Sequence, residues 1–231
     1  MKNSFLSVTG VTKIFGGFPA LRDVSLTLTK GETLGVIGPN GSGKSTLINI
    51  ISGFFPPDSG KVVFHGIDLT GQPMDTHVRQ GIARTYQIPK TFKGFSVSDC
   101  VRLAVISSER DLDDPGEVVE YVLRLTGLFN QRHIPAEKLS QGCLRRLELA
   151  RAIGTGATLY LFDEVFSALS VGDAAEMKSL IQRMHLEREV SFILVSHNLS
   201  IVEEFCDRAL LLEDGRVSFD GPPGSLGKVL S

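Results

Sequence analysis

Gly38-Pro39-Asn40-Gly41-Ser42-Gly43-Lys44-Ser45-Thr46 decides how this chain is read. The stretch fits the pattern G-x-x-x-x-G-K-[ST] of a phosphate-binding loop. Its glycines let successive backbone N–H groups converge on one anion. Lys44 can then reach the β- and γ-phosphates, and the Ser45 hydroxyl can ligate Mg²⁺. Thr33-Leu34-Gly35-Val36-Ile37 reads as a buried strand entering the loop. Leu47, Ile48, Ile50 and Ile51 mark a short apolar helix leaving it, with its N-terminus toward the phosphates. The context predicts a site for a nucleoside triphosphate.

Upstream, residues 4–29 alternate apolar and polar side chains around Val8, Val11, Leu21, Val24, Leu26 and Leu28. This predicts antiparallel strands turning at Gly16-Gly17 and again at Lys30-Gly31. Phe15, just before the first turn, could stack on a bound base or be an ordinary core phenylalanine. Downstream, Pro56–Gly60 forces a turn, Lys61–His65 reads as a strand, and a weaker helix is expected near His77–Gly81. Gly81–Gln87 reads as a further strand. Its terminal amide, Gln87, is placed to touch Mg²⁺ or water, or is simply a solvated strand end.

From Ile88 to about Thr155 the pattern becomes helical. Ser96–Asp99 is a capping box opening a helix through Val105. Glu117–Thr126 is an amphipathic helix ending at Gly127. Leu139-Ser140-Gln141-Gly142-Cys143-Leu144-Arg145-Arg146 opens a third helix, with Leu144, Leu147, Ala150 and Ile153 expected on its inner face. Thr158–Phe162 is apolar without alternation, as in a parallel strand covered on both sides, and runs into Asp163-Glu164. Beside a phosphate loop, Asp163 can help hold Mg²⁺ and Glu164 can orient an attacking water. A long helix is expected over Val171–Glu189. Another buried strand, Ser191–Ser196, ends at His197, which could donate to a γ-phosphate or be solvated. Ala209–Leu212 and Arg216–Phe219 form a closing hairpin around Asp214-Gly215.

Bulk properties narrow the partners. The net charge of −2 over 231 residues argues against a nucleic-acid surface. Cys100, Cys143 and Cys206 are odd in number and widely spaced, which suggests neither a disulfide framework nor a metal site and points to a reducing compartment. No apolar run approaches the roughly 20 residues that span a bilayer, so membrane association is expected through partners.

Taken together, these residues resemble an ATP-binding-cassette (ABC) ATPase in order and spacing over nearly the whole chain. Gly38–Thr46 matches the Walker A loop and Leu161–Glu164 the Walker B strand. Gln87 falls at the Q-loop position, His197 at the switch histidine and Phe15 at the adenine-stacking aromatic. Leu139-Ser140-Gln141-Gly142 is similar to the signature loop, the family's most specific element. The resemblance implies an α/β phosphate-loop core over 1–87 and 156–231, with an antiparallel N-terminal β subdomain. It also implies a helical subdomain over 88–155. ATP and Mg²⁺ are the implied ligands. Each ATP would lie between the loop of one subunit and Ser140–Gly142 of another, in a head-to-tail dimer of the same or a sister chain. The implied roles are catalytic for Glu164, His197, Gln87 and Lys44, and metal-binding for Ser45, Gln87 and Asp163. Phe15, Gly38, Pro39, Asn40, Gly41, Ser42, Gly43, Lys44, Ser45, Thr46, Ser140 and Gly142 would bind nucleotide.

Phe15-Gly16-Gly17, Gly53-Phe54, Arg84–Gln87 and Arg145–Arg151 further resemble the cytoplasmic ATPase subunits of branched-chain amino-acid importers. That group implies transmembrane permease partners, an indirect solute-binding protein, and a peripheral place on the cytoplasmic face of the membrane. Close relatives serve lipid or lipopolysaccharide export. The same motifs also fit a soluble non-transport ATPase or a degenerate regulatory cassette. The chain departs from the family pattern at Cys143 (usually Gln), Val165 (usually Pro) and Ser170 (usually Asp or Asn). Cys143 is expected to face the partner's nucleotide.

Overall fold

The computed structural model describes residues 5–85, 92–108, 110–167 and 169–228. Alternating side chains build the first sheet. Strands β1 (Leu6–Phe15) and β2 (Phe18–Leu28) form an antiparallel hairpin closed at Gly16-Gly17, with Phe15 opposite Phe18. The chain then crosses to a second sheet as β3 (Thr33–Ile37), all five residues buried, and enters helix α1 (Lys44–Ile51) through the glycine-rich loop. It returns as β4 (Ser59–Phe64), antiparallel to β1, and the two-residue β5 (Ile67–Asp68), giving the order β2-β1-β4-β5.

Helix α2 (Met74–Arg79) leads into β6 (Ile82–Arg84). The helix begins earlier than the expected His77, because Pro73 stands at its N-cap with an extended backbone. Thr85 follows the strand, its amide donating to Leu161 O at 3.0 Å, and Tyr86 and Gln87 of the predicted strand lie outside the described residues. Helix α3 (Val97–Ser107) starts at the predicted capping box, in which Ser96 and Asp99 exchange both bonds. Helices α4 (Pro115–Leu125) and α5 (Gln141–Gly154) follow. Then come β7 (Leu159–Asp163), α6 (Val171–Arg188) and β8 (Ser191–Val195). The unforeseen α7 (Leu199–Phe205) and the hairpin of β9 (Arg208–Glu213) with β10 (Arg216–Gly221) complete the order. A final 3₁₀ turn covers Pro223–Lys228.

The second sheet runs β10-β9-β3-β8-β7-β6. All its pairs are parallel except β10 with β9. Strands β3, β7 and β8 are buried at every position, which is why their sequences are continuously apolar. The two faces of this sheet serve different cores. Leu159, Leu161, Ile193 and Val195 join α1 and the first sheet on one side. Tyr160, Phe162, Phe192 and Leu194 turn to the helices on the other side, with Phe162 stacked on Phe192 at 5.2 Å.

Within α5, Leu147, Ala150 and Ile153 face inward as expected, but Cys143 takes the inner place expected of Leu144, which is half-buried. All three cysteines are free and buried. Among the described residues, no helix is long and apolar enough to cross a membrane.

Candidate nucleotide site

Strand β3 delivers the loop 38–46 to the carboxyl edge of the parallel sheet, where crevices for ligands form. The loop's shape depends on residues without a Cβ. Gly38 (φ 146°) would drive a Cβ to 2.1 Å from the Leu212 carbonyl oxygen. Gly43 (φ 104°) would drive one to 2.5 Å from that of Ala20. Gly43 is also the N-cap of α1, so the first amides of that helix point into the loop.

A cavity of about 280 Å³ opens at this point. It is lined by Asn40, Gly41, Gly43, Lys44, Ser45 and Thr46 from the loop, and by Asp163 and Glu164 from the end of β7. Gly38, Pro39 and Ser42 are not part of that lining, and Pro39 is exposed. Lys44 Nζ donates to the carbonyl oxygens of Gly38 and Pro39, at 2.8 Å each. Burial pulls the Lys44 ammonium below its ordinary pKa, against the charges of Glu164 and Asp163. Ser42 Oγ is buried without a hydrogen-bond partner. An under-solvated cation, an orphan hydroxyl and a ring of helix-terminal amides suit a polyanion such as a triphosphate.

The acidic side of the cavity suits a divalent cation between phosphate and protein. Burial raises the Asp163 carboxyl above its ordinary range; Arg84 opposes this, the Glu164 charge adds to it, and the Ser45 hydroxyl hydrogen-bonds to the same carboxyl. A hydroxyl and a carboxylate already in contact are the donor types that Mg²⁺ takes beside phosphate oxygens. Arg84 itself is a feature that sequence reasoning missed. Its guanidinium donates to Asp163 Oδ2 at 3.4 Å and also to Asn49 on α1; Asp163 is buried and Arg84 nearly so. Arg84 opens the Arg-Thr-Tyr-Gln run, and a lone charge at the end of a short apolar strand was the available signal.

Glu164 stands with φ 55°, a left-handed backbone unusual for a residue with a side chain. Its amide donates to Val195 O at 3.1 Å, which pins the turn to the end of β8. His197 Nδ1 lies 2.9 Å from Glu164 Oε2. A carboxylate only accepts, so that ring nitrogen carries the proton and Nε2 is left on the other side of the imidazole. His197 is largely exposed and Glu164 is mostly covered. The fold therefore brings Lys44, Ser45, Asp163, Glu164 and His197 together from separate stretches of the chain.

Two predicted groups are not gathered there, and Gln87 lies outside the described residues. Phe15 stands at the hairpin end, 41% exposed, and is not part of the cavity wall, although Ala20 of the next strand is. Ser140 and Gly142 do not line the cavity either. Ser140 caps α5 through the Cys143 amide, and Gly142 abuts Asp173, whose carboxylate a Cβ would meet at 2.2 Å. Cys143 does not face outward from this turn, as was expected of it. It is 7% exposed, with Sγ accepting from Gln131 and Arg146.

The sequence profile of the family described as "ABC transporter" matches residues 21–167. A "Probable branched-chain amino acid transport ATP-binding protein LivG" of Archaeoglobus fulgidus is 35% identical over 94% of this chain and 88% of its own length. A "Sulfate/thiosulfate import ATP-binding protein CysA" of Bacillus cereus is 32% identical over 94% of this chain, but only 61% of its own length. The crystal structure of a nucleotide-free ATP-binding cassette from an ABC transporter superposes with a TM-score of 0.89 at 27% identity. That match covers 98% of this chain and 95% of the other. The motifs, the two-sheet architecture and these likenesses agree, and the chain belongs to the ABC transporter family as one of its ATP-binding, ATP-hydrolysing cassettes.

Proposed function

We propose that this chain is the ATPase subunit of a membrane importer, and that it drives transport by closing head-to-tail on a second cassette around ATP. The observation that carries the dimer is the split of the site. Lys44, Ser45, Asp163 and Glu164 share one cavity, whereas Ser140 and Gly142 lie off it in the same subunit. A second copy, turned head-to-tail, would bring its α5 N-terminus to the γ-phosphate and supply the missing wall. In this reading Gly38–Thr46 cradle the phosphates and Phe15 takes the adenine. Ser45, Asp163 and Gln87 would hold Mg²⁺, which would neutralise charge on the β- and γ-phosphate oxygens. Glu164 receives a proton from the attacking water, and the Glu164–His197 bond fixes the carboxylate's direction. Residues 1–87 and 156–231 act as the nucleotide-binding core and 88–155 as the moving helical part.

The permease would dock beside β6. A groove of about 300 Å³, mostly apolar, lies there between α2, α3 and α5, with Phe92, Leu103, Ala104 and Val78 among its walls. Arg84, Glu148 and Arg151 provide its charged groups. Phe92 packs on Phe95 with ring centroids 5.6 Å apart, and both are about two-fifths exposed. An amphipathic helix fits such a groove. The transported class proposed is branched-chain amino acids or a related small polar solute, supported by the likeness to the LivG proteins.

The test is purification of the tagged chain from detergent-solubilised membranes of its own cells, followed by uptake of labelled leucine. Integral permease subunits should copurify, and uptake should fail when Lys44→Ala replaces the native chain. Copurifying nucleic acid or ribosomes would contradict the transport reading. Intact leucine uptake with Lys44→Ala would contradict the solute assignment.

A further inference from the structure

The end of the site that would hold the base has its own support. Helix α1 does not simply stop at Ser52: the amides of Phe54 and Phe55 both return to the Asn49 carbonyl, at 2.8 and 3.3 Å. Three residues later the chain is fastened to the end of β1. The Asp58 amide donates to Thr12 O at 2.9 Å. The Asp58 carboxylate accepts from the Ile14 amide at 2.6 Å and from Lys13 Nζ at 2.9 Å. The Lys13 ammonium, nearly buried, lies 5.5 Å from the centre of the Phe15 ring. Phe55 meets Phe15 edge-on, with centroids 5.5 Å apart and planes at 69°, and Phe54 meets Phe55 in the same manner at 4.7 Å. The two bonds hold the Asp58 carboxyl below its ordinary range, so the clamp stays charged at neutral pH.

We propose that Phe55 and Asp58 are positioning residues for ATP: they hold Phe15 in place as the adenine platform and tie it to the helix that grips the phosphates. This rests on the reading of Phe15 given above. A purely structural aromatic cluster would turn inward, yet Phe15 and Phe54 keep 41% and 49% of their surface open. Edge-on packing immobilises a ring without enclosing it, which a stacking platform requires. One continuous segment, Gly38 to Asp58, then references both ends of the nucleotide to α1. The device sets affinity for a nucleotide over a bare polyphosphate, because only the former has a base to place.

The experiment compares Mg-ATP with Mg-tripolyphosphate by calorimetric titration of the full chain. Phe55→Leu keeps the bulk and removes the ring. It should weaken ATP about 3- to 10-fold, the scale of an aromatic pair, and leave tripolyphosphate unchanged. Asp58→Asn should act in the same direction, and Phe55→Tyr should restore wild-type affinity. In Phe15→Ala the further change Phe55→Leu should have no effect on ATP. A parallel loss of ATP and tripolyphosphate in Phe55→Leu would reduce Phe55 to a support of the loop and overturn the proposal. Weakened ATP in Phe15→Ala with unchanged ATP in Phe55→Leu and Asp58→Asn would overturn it while leaving the platform. Unchanged ATP in Phe15→Ala would overturn both.

Discussion

Glu164 is held in a backbone conformation that costs about 1–3 kcal/mol for a residue with a side chain, where the end of β7 turns beside the phosphate loop. Strain of that kind persists only where its surroundings enforce it. Here the Val195 carbonyl and His197 do so. Glu164→Gln keeps the shape and removes the proposed proton acceptor. It should retain ATP affinity and lose about 10²- to 10⁴-fold in turnover, read from binding and phosphate-release assays on one sample. Near-normal turnover would move the base to another residue, His197 first. Asp163 makes a second prediction, on stability. Its carboxyl pKa is raised by burial, so the folded state binds more protons than the unfolded one as pH rises from about 4. Its contribution to stability therefore falls through that window and stays lost above the raised pKa. Asp163→Asn should melt higher than wild type at neutral pH without nucleotide, and the difference should fade toward pH 4. A variant that melts lower at pH 7 would mean that Arg84 outweighs burial.

At the scale of elements, legibility followed periodicity. Strands β3, β7 and β8 were plain in the sequence because each is buried on both faces and reads as an unbroken apolar run. Helix α3 was plain because its capping box is a local device. What stayed hidden was pairing between distant segments. Nothing near Arg84 indicates that it crosses to Asp163 and Asn49, and nothing near Asp58 indicates that it closes on Lys13 and Ile14. The inner face of α5 was misread at Cys143, since a small thiol at a helix start is ambiguous between packing and contact. Two consequences are measurable. Arg84→Ala removes the guanidinium's bonds to Asp163 and Asn49 and should cost about 1–3 kcal/mol in urea unfolding. A loss under about 1 kcal/mol would mean that water replaces the guanidinium. Phe92→Ser with Phe95→Ser should uncouple ATP turnover from transport in the assembled complex while sparing the melting temperature of the isolated chain. A large drop in that temperature would make the pair an anchor of the loop instead.

For the whole molecule, the proposed function turns on incompleteness. One subunit gathers a glycine-rich loop, a buried lysine and two carboxylates around one cavity, sets a histidine against one of those carboxylates, and holds Ser140 and Gly142 elsewhere. Nucleotide binding should therefore be a reason for two copies to meet, and hydrolysis a reason for them to part, a shift of population between open and closed dimers. The deciding measurement is sedimentation of the Glu164→Gln chain with and without Mg-ATP, with Gly142→Asp as the partner control. A monomer is expected without nucleotide and a dimer with it. Gly142→Asp should still bind ATP and remain monomeric, because a side chain there meets Asp173 and puts an acid where the γ-phosphate would arrive. A Glu164→Gln chain that is saturated with ATP and still sediments as a monomer would contradict closure around nucleotide.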